Sequence, residues 1–173
     1  VQKQGHTSIQ RLYVAAGELR CGDTAFRCAV GRGGVRTDKT EGDGATPVGC
    51  FALPLLLYRP DRVAPIPTAL PVRPLRPQDG WCDDPAHAQY NQLIEQPFAA
   101  SHESLWREDA LYDVIIVIAY NMSPVVPGKG SAIFLHSARP DFTPTDGCIA
   151  LTRTDLLAVA AACTLNCKIE IAP

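Results

Sequence analysis

Two residues in this chain have the types and the spacing for shared chemistry. His136 closes the apolar run IFLH, and Cys148 opens the run CIAL after a polar, proline-containing loop. A cysteine attacks a carbonyl only as thiolate. A histidine within hydrogen-bond reach takes the proton and leaves an ion pair that reacts near neutral pH. Gly147, just before the thiol, lets backbone pass close to a substrate. The consecutive amides of Gly147 and Cys148 could bind the oxyanion of a tetrahedral intermediate. Ser137 could orient the imidazole through its hydroxyl or its carbonyl. With four histidines and seven cysteines in the chain, such a pair can also arise by chance, and a cysteine in an apolar strand is more often core. The surrounding elements therefore have to be read with it.

The chemistry needs His136 and Cys148 at the ends of neighbouring strands, and the pattern offers strands. Residues 111–120 (LYDVIIVIAY) are β-branched and apolar on both faces, which predicts a central buried strand. Residues 131–136 and 147–151 read as two further buried strands. Residues 10–15, 18–21 and 25–30 are short strands with glycine turns, and 50–58 resumes as a strand interrupted by Pro54, at an edge or bulge. Residues 31–49 hold six glycines and form a loop longer than ordinary connections, a sign of function or of its own packing. That loop lacks the Gly-Lys-Ser/Thr ending of a phosphate loop. Residues 59–78 carry six prolines, which predicts an extended surface excursion with one edge strand near 69–73. Residues 80–91 read as turns and 101–109 as a short helix capped by Ser101. Residues 152–163 are the clear helix, with Thr152 or Thr154 as cap and Asp155 in the first turn. Residues 167–171 alternate as a closing strand.

Composition narrows the class. At 173 residues the chain is long enough for one domain spanning 1–173 with a full core. A net charge of −2 gives no basic surface for nucleic acid, and no apolar run approaches the roughly 18 residues of a membrane span. The chain begins at Val1, so a signal peptide could have been removed. No cysteine pair has the C-x-x-C spacing of a zinc ribbon or thioredoxin-like site, so neither is expected. Most of the cysteines are expected as buried thiols, and Cys21–Cys28 is the easiest disulfide across a hairpin.

The stretch FLHS…PTDGCIAL resembles the active-site motif of the L,D-transpeptidase family, the YkuD-type catalytic domain, which carries a histidine, a spacer and then Ser/Thr-x-Gly-Cys. Here these are His136, the spacer and Thr145-Asp146-Gly147-Cys148. The upstream EGDGATPVGCF resembles the family's Asp-Gly-x-Thr-Pro-x-Gly-x-Phe segment. The resemblance implies a mainly β, sandwich- or barrel-like domain with one or two short helices. It implies acyl transfer on peptidoglycan stem peptides in the periplasm or cell envelope, serving cell-wall biogenesis and cell shape, by a monomer without cofactor. Cys148 would be the nucleophile, His136 the base and acid, and Ser137 the orienter.

The chain also departs from the family pattern. Asp146 stands where many members have histidine, Ala150 where many have arginine, and the spacer is short. A carboxylate beside the thiol opposes its ionisation unless it points away or pairs with Arg139. Arg139 is the nearest cation that could hold a substrate carboxylate. Tyr120 and Asn121 end the central strand and would line the cleft if that strand ran parallel to the one carrying His136. Trp81 and Tyr90 could form an aromatic wall, or simply pack. Glu103, Arg107 and Asp109 read as a local salt-bridge network, and Asp83 with Asp84 as loop carboxylates that point apart. The alternatives to an enzyme are a peptidoglycan-binding module that has lost activity and a metal or redox protein built on Cys148, His136 and Asp146.

Overall fold

A computed structural model describes residues 9–173; residues 1–8 of the expected 1–173 domain lie outside them. The architecture is mainly β and sandwich-like, with sheets that do not close into a barrel. The first five-stranded sheet contains β1 (Ile9–Ala15), β2 (Glu18–Cys21), β3 (Thr24–Arg27), β6 (Gly49–Ala52) and β15 (Cys163–Ile171), in the order β3-β2-β1-β15-β6. The second contains β7 (Leu55–Tyr58), β8 (Val72–Pro74), β12 (Val114–Val117), β13 (Phe134–Ser137) and β14 (Ile149–Leu151), in the order β14-β13-β12-β7-β8. Pro54 lies where the chain leaves one sheet for the other, because a residue without an amide proton cannot continue the ladder. The segment 31–49 contains a two-stranded parallel pair, β4 (Val35–Arg36) and β5 (Thr46–Pro47).

The strands β12, β13 and β14 of the second sheet are buried on both faces, which is why they lie in apolar runs. One face packs with the first sheet and the helix α1 (Arg153–Ala162): Leu135, Ile149 and Ile116 meet Leu12, Ile169, Leu156 and Val159. The other face carries Leu57, Ile115, Phe134 and Cys148 and is covered by Trp81, Leu105 and Tyr112. That cover comes from a three-stranded sheet in the order β10-β9-β11, formed by β9 (Asp79–Cys82), β10 (Leu93–Glu95) and β11 (His102–Ser104).

This cover corrects two expectations. Residues 79–82 are not turns but the fully buried middle strand of the sheet. Residues 101–109 form no helix. Their backbone pairs with β9, His102 opposite Cys82 and Ser104 opposite Gly80, and Leu105 N donates to Asp79 O. Long-range pairing outweighs the local helical pattern here. The edge strand expected near 69–73 is β8.

The helix 152–163 forms as expected. Thr152 is its cap and accepts from Asp155 N at 3.1 Å. Thr152→Ala is expected to cost about 1 kcal/mol in a urea-unfolding measurement, because it orphans that amide. All seven cysteines are free, Cys21 and Cys28 included. Among the described residues no helix is long and apolar enough to cross a membrane.

Candidate active site

β13 and β14 run parallel, with His136 opposite Ala150. Alternation then turns Phe134, His136, Cys148 and Ala150 to one face, the face beneath the three-stranded sheet. Phe134 N donates to the Cys148 sulfur at 3.4 Å, and the thiol donates to Ala132 O at 3.2 Å. Both His136 and Cys148 line a cleft of about 540 Å³, within the range of small-molecule sites. No hydrogen bond joins the two side chains among the described residues.

His136 Nδ1 lies 2.8 Å from Ser137 O. A carbonyl only accepts, so Nδ1 carries the proton and Nε2 of the neutral ring is the basic nitrogen. The orienting group is thus the Ser137 carbonyl; the Ser137 hydroxyl is buried without a partner. The Tyr112 ring meets the imidazole edge to face at 5.3 Å. Burial lowers the His136 pKa to about 4 and raises that of Cys148 to about 12. The resting pair is therefore neutral thiol and neutral imidazole rather than the ion pair expected from the residue types.

The glycine-rich segment braces the turn that carries Cys148. Thr145 N donates to Val30 O at 3.0 Å and Arg32 N to Thr145 O at 2.8 Å, while Thr46, fully buried, takes Gly31 N and gives its hydroxyl to Gly147 O, both at 2.8 Å. Thr145 Oγ1 closes the turn through Cys148 O at 2.5 Å and accepts from Gly147 N at 3.1 Å. The Gly147 amide is thus held by Thr145. Gly147 has φ +135, and a Cβ there would lie 2.9 Å from Ala45 O. Gly147→Ala combines strained backbone with a clash against backbone, so a loss of about 2–4 kcal/mol in stability is expected by denaturant titration.

The structure redistributes the remaining candidates. Asp146 pairs with Arg32 at 2.7 Å, not with Arg139, and its side chain is 87% exposed. It lines the cleft, where its charge adds to the upward push on the Cys148 pKa. Arg139 lines the cleft and is exposed. Tyr120 and Asn121 do not line it. β12 runs antiparallel to β13 with Ile115 opposite His136, so these residues leave the sheet at the far end. Tyr120 donates to Lys129 O at 2.5 Å, and Asn121 ties the following turn through Val126 and Gly130. Trp81 packs on Phe134, and Tyr90 bonds Glu41 and Gly130 N; both are packing residues.

Lys39, Glu103 and Arg107 line the cleft without having been read as site residues from the sequence. Lys39 is buried and ion-paired to Asp43 at 2.8 Å. Burial would raise the Asp43 pKa, but hydrogen bonds from Lys39, Thr40 N and Ala45 N outweigh it and hold the carboxyl below its usual range. Glu103 accepts from the Tyr112 hydroxyl at 2.6 Å, and burial raises its pKa. Arg107 forks onto Asp109 at 2.8 and 2.7 Å, so of the expected network only this pair forms. Glu41, Gly42 and Gly44 of the cleft, and Asp43 beside them, stood inside the upstream motif. Among the described residues no cluster of His, Cys, Asp or Glu is arranged to hold a metal ion.

The family model of the L,D-transpeptidase catalytic domain, YkuD, matches residues 6–171. The chain belongs to this family. No curated protein sequence matches it. The L,D-transpeptidase family acts on peptidoglycan. The two residues that the motif resemblance singled out, His136 and Cys148, are the ones that the parallel β13–β14 register turns into one cleft. Ala150, opposite His136, adds no charge beside the imidazole.

Proposed function

We propose that this chain is a single catalytic domain, residues 1–173, that transfers the acyl group of peptidoglycan stem peptides through a thioester on Cys148. The observation that carries this reading is the placement of Cys148 and the neutral His136 on one face of one sheet, lining one cleft. The thiol proton passes to His136 Nε2 as sulfur attacks the carbonyl of the third stem residue. Nδ1–H stays on the Ser137 carbonyl, which holds the tautomer and supports the imidazolium as it forms. The Cys148 amide receives the oxyanion. Nε2–H then protonates the departing terminal D-residue, whose carboxylate faces the Arg139 guanidinium. A resting thiol suits this sequence, because charge appears only when substrate has displaced water. Expected surroundings are the periplasm or cell envelope, the working form a monomer, and the role cell-wall biogenesis.

Incubation with defined muropeptides tests the reading. A disaccharide-tetrapeptide should lose its terminal D-alanine, and intact mass should show a transient acyl adduct on Cys148. Binding of muropeptide by a folded protein with no release of D-alanine would instead favour a non-catalytic peptidoglycan module.

A further inference from the structure

Three buried thiols that the acyl transfer leaves unused lie in one core, away from the cleft: Cys21, Cys163 and Cys167. Cys163 caps α1 and opens β15, so helix and strand meet at this residue. From there β15 departs from a regular ladder. Cys163 stands opposite Ile9 and Lys168 opposite Arg11, so the four residues 164–167 face the single Gln10 on β1. A regular parallel pair matches residues one to one, and surplus residues must leave the ladder. They arch outward here, with Leu165 exposed at the crest. The two cysteines are the feet of the arch.

The register brings those feet together. Cys163 lies beside Ile9, and Cys167, one residue before Lys168, lies beside Gln10. Consecutive Cα atoms are about 3.8 Å apart, so the Cα atoms of Cys163 and Cys167 stand roughly 4–6 Å apart, the separation that a disulfide spans. Both side chains are buried in the same cluster. Hydrogen bonds from the Cys163 thiol and the Thr164 amide hold Cys167 below the usual thiol range in spite of its burial. Cys21 is placed less well. It stands opposite Leu12, which stands opposite Ile169, so it is two strand spacings from β15, roughly 9–10 Å, beyond disulfide reach.

We infer that Cys163 and Cys167 are a disulfide-forming pair, whose oxidation by a disulfide reagent locks the arch between α1 and β15. The inference is independent of the thioester reading, since both sulfurs lie in the core on the other side of the second sheet from Cys148. Opening of the arch, whose crest is already in solvent, exposes Cys167. Its thiolate attacks one sulfur of the oxidant, so a mixed disulfide forms, the oxidant's S–S bond breaks and its first thiolate leaves. Cys163 gives its proton to solvent and attacks the Cys167 sulfur, and the second thiolate leaves. The protein loses two protons and two electrons, and the oxidant becomes two thiols.

Oxidised glutathione is the probe. Folded wild type is equilibrated with graded ratios of oxidised to reduced glutathione, quenched in acid, unfolded, alkylated and digested with trypsin. Both cysteines fall in the peptide 154–168, between Arg153 and Lys168. Mass spectrometry should find that peptide unalkylated and lighter by two hydrogens, while the peptide 21–27 carries an alkylated Cys21. Half conversion in the folded protein should need an oxidised-to-reduced ratio about tenfold or more below that needed in urea, where the register no longer holds the sulfurs together. Oxidised wild type should also resist urea better than reduced wild type, a difference that vanishes in Cys163→Ala. The peptide mapping uses wild type alone, so it stands even where that variant fails to fold. Alkylation of both cysteines at every ratio, a lasting glutathione adduct on either, a bond joining peptide 21–27 to peptide 154–168, or an equal ratio in urea would each overturn the inference.

Discussion

Cys148→Ala is expected to abolish acyl-enzyme formation, with a fall in donor turnover of about 10⁴-fold or more. Only the sulfur on this face of the β13–β14 pair meets the cleft beside His136; Cys163 and Cys167 pack in the opposite core. Intact-mass spectrometry with a carbapenem checks the expectation: one adduct on wild type, located to the peptide carrying Cys148, and none on the variant. Cys50 is exposed and free, so a general alkylating reagent would mark it as well, and peptide assignment is needed there. The variant should stay folded. Removing one sulfur from the cluster of Phe134, Trp81 and Tyr112 costs about 1–2 kcal/mol. An adduct that persists on the alanine variant would contradict the assignment of the nucleophile.

His136→Gln is expected to lower donor turnover by about 10²–10⁴-fold, because glutamine can accept a hydrogen bond but cannot take a proton and return it. The same substitution should remove a pH dependence of stability. Burial lowers the His136 pKa from 6.5 to about 4 in the folded state. Between those values the unfolded chain binds a proton at this site and the folded one does not. The unfolded state therefore gains as pH falls, and stability contributed by the neutral ring is present above pH 6.5 and lost toward pH 4. The full loss is about 3 kcal/mol. Urea midpoints at pH 7 and pH 4.5 measure it: wild type should lose markedly more than His136→Gln, since carboxylates elsewhere titrate alike in both. Equal losses would mean that the imidazole is not buried neutral. The acid limb of wild-type activity should likewise fall near pH 4, not near 6.5.

Departures from the family motif look different once the chain is folded. Asp146 beside the nucleophile reads as an obstacle to thiol ionisation. In the structure its carboxylate is exposed and held by Arg32 from the glycine-rich segment, which weakens but does not remove its upward push on the Cys148 pKa. Arg32 is 114 residues away in sequence, and no local pattern could have paired the two. The same segment supplies Thr46, whose hydroxyl fastens Gly147 O. Its glycines marked it as a loop, and through Thr46 it reaches the turn that carries Cys148. Glu103 and Asp83 were hidden differently: both lie in stretches whose local composition spoke for turns and a helix, while tertiary pairing made them strand and strand end.

The sequence by itself determined the mainly β class, the buried central strands and the capped helix, and it singled out the pair His136 and Cys148. These follow from periodicity, propensity and motif spacing, which are local properties of a chain. Only the tertiary structure decided strand direction and partner. β12 runs antiparallel to β13, which carries Tyr120 and Asn121 away from the cleft, and β13 runs parallel to β14, which turns Cys148 to the face of His136. Direction depends on which apolar faces meet across the whole domain, so it is not written in any one segment. The charge state of the pair was decided in the same way. A histidine and a cysteine suggest an ion pair, but burial under the three-stranded sheet makes both neutral, because the cost of charge depends on what surrounds a group rather than on the group alone.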